Sequence, residues 1–229
     1  MRVLLLSDID TPHTIKWATG LASQIARVGI FGLVEFNNAI YQNYDNIDLF
    51  CYGLPKVLAR SGEGRIQKWR YLQAVPALRR AIQQFKPDII HAHYASSYGL
   101  LGRLAKFQPL VISVWGRDIF TFPRRSFVHR LLIKWILSGA KAICSTSQIM
   151  AQAARRYSHQ SIAVIPFGID TTVFMPKKIT TPFGDNALVV GCVKSLERKY
   201  GLDDLIRAFA KVKQQMKTST NCTIKLLLV

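Results

Sequence analysis

Short apolar runs and amphipathic stretches take turns along almost the whole chain, and few architectures accommodate that alternation. Val3–Ser7, Ile30–Phe36, Ile47–Tyr52, the segment IIHAHY, Leu110–Val114, Ala142–Ser145 and Ile162–Ile165 read as buried strands. Helical spacing falls between them. Thr11-Pro12 supplies an N-cap and a proline at the first helical position, and the pattern runs on to Val28, with Gly29 as its stop. Lys68–Phe85 places Trp69, Leu72, Leu78 and Ile82 along one face, with Pro76 as a kink or split. Tyr98–Lys106, Phe127–Leu137 and Gln148–Tyr157 follow. Strands separated by helices pair in parallel, because a crossover helix returns the chain to the same sheet edge. The expected fold is therefore α/β, a Rossmann-like doubly wound parallel sheet with helices on both faces.

The alternation restarts after MPKKITTPFGDN (Met175–Asn186), a stretch rich in Pro, Thr and Lys. Strand Ala187–Val193, helix Leu202–Gln214 and strand Thr223–Val229 are too few for a complete doubly wound domain. The division is thus a domain over 1–176 and a truncated start of a second Rossmann-like domain over 177–229.

Charge narrows the partners. The chain of 229 residues carries a formal net charge of +18. Between Cys51 and Gly168 its acids are Glu63, Asp88 and Asp118 alone. Such an excess favours an anionic membrane surface, a nucleic acid or a phosphorylated substrate. Cys51, Cys144, Cys192 and Cys222 form no CxxC pair, so reduced thiols are expected rather than a metal or disulfide framework. No apolar run approaches the roughly 18 residues of a membrane span; LLIKWIL is interrupted by Lys134. The N-terminal apolar run is too short for a signal peptide. A cytoplasmic protein is expected, with the inner membrane face as a peripheral seat.

In open parallel sheets, ligands gather at the carboxyl ends of the strands. Those positions hold Ser7-Asp8, His91 and His93, Trp115-Gly116-Arg117-Asp118, Ser145 and Ser147, Phe167-Gly168, and Lys194-Ser195. His91 and His93 share one face of a strand. No third ligand accompanies them, so metal is not expected; each reads either as a hydrogen-bonding residue of the cleft floor or as a structural histidine. His13, near a helix start, is a candidate for substrate contact, with a solvated loop histidine as the plain alternative. Gly116 would let the backbone approach a ligand. Asp118 would either accept from sugar hydroxyls or cap the next element. Lys194 and Lys199, between Gly191 and Gly201, suit a diphosphate. The fingerprints of P-loop ATPases, ordinary dinucleotide enzymes and serine hydrolases are all missing.

KPDIIHAHYASSYGLLG, PLVISVWGRDIF, IPFGIDTTVFMP and VKSLERKYGLDDLIRAFA, in that order, resemble successive landmarks of family 4 glycosyltransferases. The resemblance implies a GT-B fold, with two Rossmann-like domains facing across a cleft. It also implies sugar transfer from a nucleotide-sugar donor, with retention of configuration and no metal or other cofactor. The first domain would hold the acceptor, through cleft residues His13, His91, Trp115, Gly116, Asp118, Ser147 and Gly168. Lys194 and Lys199 would grip the donor diphosphate, the first standing where arginine is usual. Trp115 stands where many members carry a histidine, and an indole cannot act as acid or base. The catalytic group is therefore open among His13, His93 and Asp118. The glycine-rich loop usual after the first strand is replaced by DIDTPHTIKW, and the two-glutamate donor motif is not reached.

The implied partners are a nucleotide sugar, a glycan or lipid-linked acceptor and an anionic membrane, with no nucleic acid. The implied role is in cell-surface polysaccharide or glycolipid synthesis, and the 229 residues by themselves are expected to be inactive. Two other readings stand beside it: a GT-B-fold nucleotide-sugar epimerase, and a non-enzymatic basic module binding membrane or nucleic acid.

Overall fold

A computed structural model describes residues 1–36, 38–55, 72–176, 183, 187–217 and 223–229, with backbone alone for Asn38, Lys199 and Lys217. The chain divides into two compact units, Met1–Gly168 and Ile169–Val229. IDTTVFMP thus falls with the second unit, whereas the sequence reading had placed the division after residue 176.

The first unit is built on seven strands: β1 (Arg2–Leu6), β2 (Arg27–Val34), β3 (Ile47–Leu54), β4 (Ile89–His93), β5 (Leu110–Val114), β6 (Ala142–Ser145) and β7 (Ile162–Val164). Their order is β3-β2-β1-β4-β5-β6-β7. Every neighbouring pair is parallel. This is a Rossmann-like α/β fold, and its strand order reverses between β1 and β4. That switch point leaves a crevice at the carboxyl edge, because the connections on either side of it diverge to opposite faces.

Two cores follow from the alternation of side chains along the strands. Leu4 and Leu6 of β1 pack with Phe31, Ile90, Ala92 and Ile112 on one face. Val3 and Leu5 pack with Val28, Ile30 and Ala18 on the other. The first core is covered by α2 (Val75–Phe85), α3 (Leu100–Ala105), α5 (Phe127–Ser138) and α6 (Gln148–Ala154), which contribute Leu78, Leu101, Ile133 and Ala151. The second is covered by α1 (Pro12–Ala22), through Ala18 and the flank of Trp17. A short α4 (Arg117–Phe120) follows β5.

Three expectations change. Helix α1 stops at Ala22 rather than Val28, and Gly29 lies inside β2 instead of ending a helix. A Cβ at Gly29 would come within 2.8 Å of Leu4 Cδ1 and 3.1 Å of the Phe85 ring, so close packing explains this glycine. Of the expected helix over Lys68–Phe85, Val75–Phe85 is formed with Pro76 in its first turn, where proline is tolerated. Trp69 lies outside the described residues. Finally, Tyr94–Gly99 forms a π-helical turn that leads into α3, ahead of the expected helix start.

The second unit contains β8 (Ala187–Cys192) and β9 (Thr223–Leu228), a parallel pair, with α7 (Leu202–Lys217) between them in sequence.

Candidate functional site

At the carboxyl edge of the first unit, β1 ends in a chain of hydroxyls. Ser7 Oγ lies 2.6 Å from Thr14 Oγ1, which lies 2.8 Å from Thr11 Oγ1. Thr11 caps α1, accepting from the Thr14 amide. This local network fixes where α1 begins, and so places His13 in its first turn, exposed at the sheet edge. His13 is thus a residue of the helix start and not of the preceding loop. Lys16 Nζ donates to the carbonyl of Gly168, one turn further along.

An aromatic ladder rises there from the core to the surface. His91 is buried and pairs through Nε2 with Ser113 Oγ at 2.8 Å. Its ring meets His93 edge-on at 4.6 Å. His93 lies 4.6 Å beneath Trp115. Trp17 closes the flank, 5.2 Å from His91 and 5.6 Å from His93. Above, Trp115 meets the edge of Phe167 at 5.3 Å, and His13 stacks on Phe167 at 4.1 Å with the ring planes 13° apart. His13 and Trp115 are 5.6 Å apart. The sequence reading brought forward His13, His91, His93 and Trp115, and the structure gathers all four. It missed Lys16 and Trp17. The signal was available: Trp17 is four residues beyond His13, hence on the same helix face.

Burial sets the protonation of the ladder's base. Loss of hydration holds the His91 imidazole down at about 4. His93 is pushed well below the ordinary range, first by burial and then by His91 and His13. Both are neutral near pH 7. Neither ring nitrogen of His93 has a hydrogen-bond partner. Buried polar atoms are nearly always paired. A neutral, wholly buried imidazole thus lies directly under Trp115 and supports it from below.

Asp118 is fully buried and works on the backbone. Its carboxylate accepts from the amides of Gly116 (2.8 Å), Ala95 (2.9 Å) and Trp115 (3.2 Å). Burial raises its pKa, and the amide hydrogen bonds pull it back. Gly116 has φ 141° and Tyr94 has φ 73°, both in the sparsely occupied positive-φ region. Asp118 thus ties together two strained turns, after β4 and after β5, and in doing so aims Trp115. Ser147 caps α6, its Oγ accepting from the Met150 amide. At the switch point, the Tyr98 hydroxyl donates to Asp8 Oδ1 and accepts from the Leu33 amide.

In the second unit, Lys194 follows β8, its ammonium 4.4 Å above the Tyr200 ring. A 3-10 turn, Arg198–Tyr200, and Gly201 at φ 69° lead into α7. Asp203 and Asp204 occupy the first turn of α7 and already complement the helix dipole. The side chain of Lys199 lies outside the described residues. Among those residues no group of three or more His, Cys, Asp or Glu is placed to hold a metal ion.

A family model described as glycosyl transferase 4-like matches residues 2–147. The chain belongs to that family. A search of curated proteins returns no match. Among solved structures the chain is similar to sucrose-phosphate synthase from Thermosynechococcus elongatus, at 16% identity and TM-score 0.68, covering 100% of this chain and 62% of that one. It is similar to HepE from Anabaena, solved with UDP-glucose, at 16% identity and TM-score 0.63, covering 100% and 69%. A Listeria monocytogenes protein named as a UDP-N-acetylglucosamine 2-epimerase gives 14% identity and TM-score 0.58, covering 99% and 61%. The chain thus spans about three-fifths of the sucrose-phosphate synthase it matches. At these identities the likeness shows the fold, of GT-B type, and a fold hosts more than one chemistry. The glycosyl transferase 4-like match is what carries the transferase assignment. It spans His13, Trp17, His91, His93, Trp115, Asp118 and Ser147 of this family member, and it stops before Phe167, Gly168 and the lysine loop.

Proposed function

We propose that the chain serves a retaining, hexosyltransferase-type glycosyltransferase that moves a sugar from a nucleotide-sugar donor to a glycan or lipid-linked acceptor, as in cell-surface polysaccharide or glycolipid synthesis. The carrying observation is the ladder at the β1/β4 switch point, whose residues other than Phe167 lie inside the family-matched span. Trp115, Phe167 and His13 offer flat faces on which the C–H face of a sugar ring stacks. His93 lies buried beneath Trp115 as its support. That combination of apolar platform and sparse polar groups suits a carbohydrate acceptor.

Lys194 and Lys199 take the donor diphosphate. Their charges stabilise the negative charge that grows on the leaving group, which lowers the barrier more than the ground state. Lysine presents a point charge where arginine would offer a planar fork, so the grip is positionally looser. With Trp115 in the position usual for histidine, His13 is the exposed imidazole able to meet an acceptor hydroxyl. His93 supports Trp115 from below, and Asp118 shapes the loop. No metal or other cofactor takes part. The site is cytoplasmic, and the strongly basic first unit rests on an anionic membrane.

Calorimetric titration with nucleoside diphosphate sugars tests the donor half. Weak binding is expected, and Lys194→Ala and Lys199→Ala should each weaken it about tenfold, the order of one charge-assisted contact. Failure of every such sugar to bind overturns the reading. So does acceptor-independent inversion at the donor sugar's C2, which would mark an epimerase.

A further inference from the structure

Helix α5 has an apolar face that it does not bury. Ser126 caps it, accepting from the His129 amide, and Ile133, Ile136 and Leu137 seal its inner side into the core. On the outer side Phe127 and Val128 are each 69% exposed, Leu131 49% and Trp135 42%. At about 100° per residue these four fall in one arc roughly 100° wide. Arg130 and Lys134 border the arc, and Arg124 and Arg125 precede the helix, all four exposed. The Arg103 guanidinium lies over the Trp135 ring at 5.1 Å. Among the described residues from 72 to 168 the only acids are Asp88 and Asp118. Asp118 is buried, and Asp88 accepts from the Arg2 amide at the opposite edge of the sheet. The face therefore combines an apolar stripe with cations and lacks any anion.

We infer that this face of α5 docks on an anionic bilayer. Phe127, Val128, Leu131 and Trp135 enter the headgroup region, while Arg124, Arg125, Arg130 and Lys134 reach lipid phosphates from its border. Charge complementarity selects this occupant: a second copy of so basic a chain would be repelled, and nucleic acid offers nothing to cover the stripe. The topology gives the docking a purpose. Helix α5 connects the carboxyl end of β5 to the amino end of β6, so its first turn lies at the sheet edge that carries Trp115. Docking by that turn brings the ladder beside the headgroups, where a lipid-linked sugar presents itself. This purpose rests on the proposed acceptor class; the docking itself does not.

The test is co-sedimentation of the chain with phosphatidylcholine vesicles, with and without phosphatidylglycerol. Binding to the anionic vesicles alone is expected. Phe127→Ser with Val128→Ser should lower the partition coefficient at least tenfold, from the lost burial of two apolar side chains. Arg130→Ala and Lys134→Ala should each lower it about fivefold. All are surface changes, and circular dichroism confirms that the variants fold. In a Trp17→Phe, Trp69→Phe, Trp115→Phe background, quenching of Trp135 by brominated lipid should accompany binding. Equal binding to neutral vesicles, or wild-type binding by the double serine variant, overturns the docking. A stripe-dependent dimer in ultracentrifugation, or stripe-dependent oligonucleotide binding without vesicle binding, overturns it too. Retained binding of a water-soluble glycan in the same variants shows that only the docking, and not the acceptor reading, has failed.

Discussion

Acid should unfold this protein partly through His91, by an amount the structure allows to be worked out. The imidazole is held at about 4 against an ordinary 6.5, because burial strips its hydration. A histidine whose folded pKa is depressed contributes stability above its unfolded pKa, and that stability is lost as pH falls through the folded value. The window is therefore pH 6.5 down to about 4. At ~1.36 kcal/mol per pH unit the full gap is worth about 3 kcal/mol. Integrated between about pH 7.5 and pH 4.5, the loss is about 2 to 3 kcal/mol. His93, depressed by the same cause, adds in the same direction. The perturbation is His91→Phe combined with Ser113→Ala, which removes both partners of the 2.8 Å hydrogen bond and strands neither. Urea unfolding of the two proteins at both pH values gives the assay. Carboxylates titrate in this range too, Asp118 in the opposite sense, but they are common to both proteins and cancel in the difference. The wild type should lose about 2 to 3 kcal/mol more than the variant on acidification. Parallel pH dependences would refute the assignment of His91 as a buried neutral imidazole.

Two further outcomes follow from the loop that carries Trp115. Asp118→Asn replaces a carboxylate that accepts from three amides with a group having one acceptor oxygen, and should cost about 2 to 4 kcal/mol in denaturant unfolding. It should also lower acceptor affinity, because Trp115 loses its aim. Gly116→Ala meets no neighbouring atom within 4 Å, so its cost is conformational, about 1 to 3 kcal/mol for a side chain at positive φ. A value near zero would show that the turn relaxes.

The architecture was largely legible because strand and helix periods differ and take turns along the chain. Leu110–Val114 and Ala142–Ser145 were bounded as they are formed. Gly29 shows where local reading fails. A glycine that ends a helix and a glycine that admits a neighbour's side chain look alike in one dimension, and only the approach of Leu4 and Phe85 separates them. The site divided in the same way. Strand ends pointed to His91, His93, Trp115 and Phe167, since topology gathers them at one edge. Trp17 and Lys16 lie on a helix and join the edge only because Thr11 and Thr14 fix where α1 begins. Asp118 had two readings, sugar contact or capping; of the three amides it accepts from, Trp115 and Gly116 are near it in sequence, but Ala95 is brought to it by the β4–β5 pairing.

The central claim, that the ladder of the first unit receives a carbohydrate acceptor, is tested most directly by nuclear magnetic resonance. Free and lipid-linked glycans are titrated into the protein while the Trp115 indole N–H and the His13 and His93 ring signals are followed. The account predicts saturable shifts of Trp115 and His13 with an acceptor glycan, together with a smaller secondary shift of His93 beneath Trp115. Saturable glycan binding that leaves all three unmoved would contradict it.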